Sequence, residues 1–328
     1  MSKVVLWEAG PGTLGYHQIV RGERNCSQEQ GEGPAIFLPA DREIPRKLLY
    51  NRVNHPARAD CLSGSNLHFA ERCPDGPRTA STLNSAFMSR IRLGILTPSS
   101  NTALEPLSQA IVSQLPHVSV HFSRFSVVKI DVDRGALDQF QTRKIVEAAK
   151  LLADANVHVI GWSGTASGWL GFRTDEDLCA AITSATGGVP ATTSVLALNR
   201  AIRILSSTQL GLVTPYIDPV QTAIVQNYRS IGIDCCERHL GLSKNTAIAE
   251  IDESTLDEMV ADVVRRGATV LSTFCTNLRA AQRVTYWEKV HGATVLDTVA
   301  TVIWEMLLMC DNGHPEQIHG WGKLFQLR

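Results

Sequence analysis

One hexapeptide appears twice in this chain. Leu93-Gly94-Ile95-Leu96-Thr97-Pro98 recurs as Leu210-Gly211-Leu212-Val213-Thr214-Pro215. A second unit repeats as well. A helical stretch, Asn156, a short apolar run and Gly164-Thr165 are matched by a helical stretch, Gly267, a short apolar run and Cys275-Thr276. The two displacements along the chain agree to within loop variation. Such self-similarity constrains a fold more than any local propensity, because each copy must build the same supersecondary unit. The apolar runs are four or five residues long and alternate with segments of helical period. Among them are Leu93–Leu96, Val157–Ile160, Leu210–Val213 and Ala268–Ser272. Short buried strands alternating with helices predict parallel sheets flanked by helices. The expected fold is therefore α/β, with two similar Rossmann-like (flavodoxin-like) halves related by pseudo-two-fold symmetry and a site in the cleft between them.

The predicted helices run from Thr102 to Gln114, Phe140 to Ala155, Asp175 to Ala185, Val195 to Leu205, Pro219 to Ile231, Ser254 to Arg266 and Val299 to Met309. The first half is expected over 89–205 with about 300–328, and the second over 206–299. Residues 1–88 differ in texture: Gly, Pro, Arg, Asn and Ser are frequent and apolar periodicity is weak. They are expected to be a poorly structured extension, with Met88-Ser89 resembling a second start. Gly10-Pro11-Gly12-Thr13-Leu14-Gly15 matches GxGxxG, but no helical stripe follows it to place amides against a pyrophosphate. A nucleotide-dependent oxidoreductase rests on that match alone.

Composition excludes several classes. A net charge of −1 over 328 residues gives no footprint for nucleic acid or an anionic membrane, and no run is long and apolar enough to span a bilayer. The chain start lacks the apolar stretch of a signal peptide, so the cytoplasm is expected. The eight cysteines form no CxxC and no zinc spacing, so no metal is expected. Most should be buried thiols.

In parallel α/β sheets ligands sit beyond the carboxyl ends of the strands. The repeat puts four such loops together: Pro98-Ser99-Ser100-Asn101, Ser163-Gly164-Thr165-Ala166-Ser167, Thr214-Pro215-Tyr216 and Phe274-Cys275-Thr276-Asn277. They carry hydroxyls, amides and one thiol, with no Lys or Arg. Neutral donors near helix starts suit a small carboxylate or dicarboxylate.

These loops also carry a resemblance. Arg92 to Thr102 resembles the first strand and loop of maleate isomerases. Leu212 to Tyr216 resembles that family's tyrosine loop, Phe274 to Arg279 its second cysteine loop, and Leu240 to Ile251, with Asn245, a substrate-side loop. The resemblance spans about residues 90 to 310 and places the chain in the aspartate/glutamate racemase superfamily. Racemases and maleate isomerases of that group carry a cysteine in each half. Here the first loop reads Gly164-Thr165-Ala166, which is similar to arylmalonate decarboxylases, whose single cysteine protonates one face of an enediolate. The resemblance implies a cofactor-independent enzyme and is compatible with a homodimer. Cys275 is the expected catalytic acid. Ser100, Asn101, Gly164, Thr165, Ala166, Tyr216, Asn245, Thr276 and Asn277 are the expected substrate-binding residues.

Blander roles stand beside these. Cys275 alone reads as a buried small hydrophobe, Tyr216 as a core tyrosine, Asn101 as a helix cap and Asn245 as a turn residue. Trp162 and Trp169 read as packing, or as the wall of an apolar pocket. Gly164 is expected to serve a turn with positive φ. Two other functions stay open: a maleate isomerase or amino-dicarboxylate racemase, and a two-lobed binding protein without catalysis.

Overall fold

The computed structural model describes residues 90–328. The expectations for 1–88, including Gly10 to Gly15, lie outside the described residues. The first half contains β1 (Ile91–Pro98), α1 (Leu104–Val112), β2 (Val118–Phe125), α2 (Arg134–Leu137), a 3-10 turn at Asp138–Phe140, α3 (Thr142–Asp154), β3 (Val159–Trp162), α4 (Ser167–Leu170), α5 (Arg173–Ala185), β4 (Ala191–Thr193) and α6 (Ser194–Ile204). The second continues with β5 (Gln209–Thr214), α7 (Asp218–Ser230), β6 (Asp234–His239), α8 (Asn245–Ile248), α9 (Glu253–Arg265), β7 (Val270–Thr273), α10 (Val284–His291), β8 (Thr294–Asp297) and α11 (Thr298–Leu308).

Two four-stranded parallel sheets result, ordered β2-β1-β3-β4 and β6-β5-β7-β8. In each, the chain order reverses between the two middle strands. That switch point is where the loops above the strand ends diverge and leave a crevice. The register confirms the internal repeat: Gly94 of β1 pairs with Ile160 of β3, and Gly211 of β5 pairs with Leu271 of β7. Both glycines lie under a crossing segment. A Cβ at Gly94 would sit 3.0 Å from Val157, and one at Gly211 would sit 2.8 Å from Leu271. The link from helix to strand is also shared. Asn156 (φ 51°) and Gly267 (φ 100°) adopt positive φ just past α3 and α9, closing each helix in the left-handed conformation that Asn and Gly tolerate best.

The middle strands are buried on both faces, with Leu93, Ile95, Val159, Ile160, Leu210, Leu212 and Leu271 at 0 % exposure. That explains their unbroken apolar runs. Helix α11 is apolar nearly all round, and Val299, Val302, Ile303 and Trp304 are fully enclosed. It packs on α6, α1 and β3 as well as β8. Its side chains Val302 and Met306 press against Gly161 of β3.

The predicted helices are all present, shifted by one or a few residues at their ends. Helix α1 begins at Leu104 rather than Thr102, because Asn101 folds its carboxamide over the Ala103 and Leu104 amides (3.0 and 2.9 Å). Strands β4, β6 and β8 and helix α10 had no forecast. Strands β4 and β8 are three and four residues long. Strand β6 (DCCERH) is a half-exposed edge strand with no need of apolar character.

Candidate active site

The four loops meet at the carboxyl ends of β1, β3, β5 and β7. They surround a small recess, open at its mouth. Asn101, Gly164, Thr165, Ala166, Tyr216, Asn245, Cys275 and Thr276 all line it. Ser100 and Asn277 do not; they stand behind the lining.

Their hydrogen bonds show what those two do. The Asn277 carboxamide oxygen accepts from the Thr102 amide (3.0 Å), and its nitrogen donates to the Asn245 carbonyl (2.7 Å). Asn245 in turn donates to the Ser100 hydroxyl (2.9 Å), which is bonded to the Val127 carbonyl. Asn101 donates to the Thr276 hydroxyl (3.3 Å), which donates to the Ser163 carbonyl (3.2 Å). These polar side chains stitch one half to the other, and nearly all of them are buried. A buried network is stable only when its members are satisfied. Asn101 is thus a cap and a tie, and Asn245 opens α8 instead of serving a plain turn.

Inside the recess the chemistry differs. The backbone N–H groups of Gly164, Thr165, Ala166 and Thr276 donate to nothing among the described residues. Tyr216, from the second half, holds its hydroxyl 2.6 Å from the Thr165 hydroxyl of the first, and both line the recess with Cys275. Cys275 is 4 % exposed. Burial pushes its pKa up to about 11, against the opposing pull of Tyr216 and of the nearby Asn277 and Leu278 amides. The thiol is therefore protonated at neutral pH. Among the described residues, no lysine or arginine lines the recess, and no cluster of three His, Cys, Asp or Glu is fit to hold a metal.

Gly164 requires a correction. Its φ is not positive. The reason for glycine is packing: a Cβ there would fall 2.1 Å from Cζ2 of Trp162. The indole lies against the Gly164 α-carbon and fills the space where a side chain at 164 would begin. Trp162 and Trp169 both line the recess, as do Val127, Ile130 and Phe140. The last three were missed in the sequence, since the stretch after β2 has no regular period from which to judge an inward face.

Residues 94–325 match the family model described as arylmalonate decarboxylase. The chain belongs to the arylmalonate decarboxylase family. Among curated relatives, a maleate isomerase of Pseudomonas putida is 25% identical over 233 residues, spanning 67% of this chain and 92% of the relative. A maleate isomerase of Geobacillus stearothermophilus is 24% identical over 231 residues, covering 66% and 90%. Solved structures share the fold. A Nocardia farcinica maleate cis-trans isomerase with a covalently bound succinylcysteine intermediate superposes with TM-score 0.65 at 21% identity, covering 72% of this chain and 98% of its own. An arylmalonate decarboxylase gives TM-score 0.58 at 21% identity, covering 72% and 100%. The chain is thus an enzyme of the decarboxylase and isomerase group, with the expected two-half α/β architecture. No helix among the described residues is long and apolar enough to cross a membrane.

Proposed function

We propose that the chain generates an enediolate from a small carboxylate and that Cys275 delivers a proton to one of its faces, as in decarboxylation of a disubstituted malonate. The observation that carries this reading is the single thiol in the recess. The pseudo-symmetric position opposite it is a glycine covered by the Trp162 indole.

In the proposed step the bond between the α-carbon and one carboxyl carbon breaks. Carbon dioxide leaves, and the electron pair spreads into the remaining carboxylate. The unpartnered amides of Thr165, Ala166 and Thr276, with the Thr165 and Tyr216 hydroxyls, are placed to bind the oxygens that gain charge. Preorganised donors of this kind are each worth about 3–4 kcal/mol when charge develops against them. The Cys275 S–H then protonates the α-carbon, and the thiolate recovers its proton from water. A thiol whose charged form is disfavoured by burial is a ready donor. Tyr216 and the nearby Asn277 and Leu278 amides pull the other way and support the thiolate during the moment it exists.

A second reading is favoured by the relatives, whose names are maleate isomerases. In it, Cys275 acts on the double bond of maleate within the same carboxylate-binding loops. The test is direct. The enzyme is incubated separately with an α,α-disubstituted malonate and with maleate, and carbon dioxide and fumarate are followed. Carbon dioxide without fumarate supports the first reading. Fumarate without carbon dioxide overturns it in favour of the second.

A further inference from the structure

Beside the recess lies a second chamber that opens to the surface at Thr142 and Thr174, and Phe140, Trp162 and Ala166 form its common wall with the first. Its remaining lining is mixed: Ile145, Leu170 and Leu178 are apolar, and Thr142, Ser167, Thr174 and Asp175 are polar. Asp175 is 3 % exposed. One of its oxygens, Oδ2, accepts from the Ser167 hydroxyl (2.7 Å) and from the Thr193 hydroxyl. The other, Oδ1, accepts from nothing among the described residues, and it is not among the fully enclosed unpartnered atoms. A buried carboxyl with one oxygen satisfied and one turned to an open cavity keeps an acceptor free for a ligand donor that displaces water. Burial also holds this acid up to about 6, against the two hydroxyls.

We propose that this chamber is a second compartment of the same active site, taking the distal end of a substrate whose α-substituent terminates in a hydroxyl that donates to Asp175 Oδ1. The proposal rests on the reading of the recess as a carboxylate site. Its physical basis is the loop shared by the two spaces. Ala166 presents its free amide to the recess, and the next residue, Ser167, anchors Asp175 in the chamber. One molecule can therefore place a carboxylate on one side of this loop and a polar terminus on the other. Of the three wall side chains, Phe140 alone is only partly buried, sitting on the 3-10 turn before α3. It is the one whose rotation joins the two spaces. A hydroxyl fits better than an ammonium. The polar lining offers one carboxyl and the hydroxyls of Thr142, Ser167 and Thr174, which satisfy an O–H as donor and acceptor but desolvate a full charge at heavy cost.

The experiment uses three disubstituted malonates with equal side-chain length ending in hydroxyl, methyl or ammonium. The measured quantity is kcat/KM in the native enzyme, in Asp175→Val and in Thr174→Trp. Thr174 is exposed at the start of α5, so its replacement blocks the chamber without disturbing the core. The native enzyme is expected to prefer the hydroxyl compound over the methyl one by about 10-fold or more, the usual cost of leaving a buried polar group unpaired. Asp175→Val should remove that preference. Thr174→Trp should depress all three long substrates while sparing one with only methyl at the α-carbon. Calorimetric binding of the matching monocarboxylic acids to Cys275→Ala protein reads the same preference without turnover. Absence of turnover with the binding preference intact would sink the decarboxylase reading and leave the chamber standing. Equal kcat/KM and equal affinity for hydroxyl and methyl, or a preference unchanged in both variants, would overturn the chamber proposal.

Discussion

The two halves of the site are built on one backbone plan and filled in opposite ways. The register makes Trp162 at the end of β3 the counterpart of Thr273 at the end of β7, and Gly164 the counterpart of Cys275. In the first half the bulk sits on the strand end and the loop is bare. In the second the strand end is small, with Thr273 bonded to Asp297 (2.6 Å), and the loop carries the thiol. Volume has moved by two residues from loop to strand. A close-packed interior permits either filling and not both at once. The comparison teaches that a side chain at 164 and the tryptophan below it exclude each other, so a thiol cannot be placed there while Trp162 stays.

The largest expected effect falls on the half that kept its thiol. Cys275→Ala should lower turnover by about 10²–10⁴, the range for a lost general acid, while circular dichroism and melting stay close to native. Near-native turnover in a folded Cys275→Ala protein would remove the proposed mechanism.

The next prediction addresses the bare half. Gly164→Cys alone should lose about 1–3 kcal/mol of stability, as overpacked cores do, and should not gain α-proton exchange. Combining it with Trp162→Val should recover stability and bring exchange of product in D₂O, read by proton NMR as loss of the α-signal. If Gly164→Cys by itself melts like the parent and exchanges the α-proton, Trp162 is not what bars the first face.

A smaller effect separates the halves by pH. Asp175 in the first and Asp297 in the second are both enclosed, and burial pushes each up to about 6 from an ordinary value near 3.9. The folded state then holds more protons than the unfolded one between about pH 4 and 6, so stability falls as pH rises through that window. The loss should be roughly 1–3 kcal/mol per group. Asp297→Asn should flatten part of the slope in urea titrations run from pH 4 to 7. A slope of the opposite sign would mean that Asp297 is held ionised by Thr273 and the two amides it caps.

The smallest effect concerns the region outside the comparison. A chain beginning at Met88 should keep the melting temperature and kcat/KM of the full chain, because the family match begins at residue 94. A drop in either measure would make the earlier residues part of the working enzyme.

Much of the fold was legible because the repeated Leu-Gly-x-x-Thr-Pro strands carry their own periodicity, turns and glycine contacts. The sheet edges were not legible: β6 is polar and half exposed, and β4 and β8 are too short to show a pattern. In the site, the cysteine loop and its companions could be read from the repeat and the resemblance. Roles within it could not. Asn277 and Ser100 look like ligands in sequence and act as struts in the structure. Asp175, by contrast, looks like a solvent-facing residue in the first turn of an amphipathic helix and is sealed beside a cavity.

The sequence by itself determined two parallel α/β halves, a cleft at their strand ends, one thiol, and loops rich in neutral donors, since each of these follows from local pattern and from the repeat. Only the tertiary structure decided that the Trp162 indole occupies the place of the missing side chain and that the Asn101, Asn245 and Asn277 amides face one another across the halves. It alone left Asp175 with an unpaired oxygen. The physical reason is that such facts depend on which side chains meet from distant parts of the chain, and a local period or spacing carries no information about a meeting of that kind.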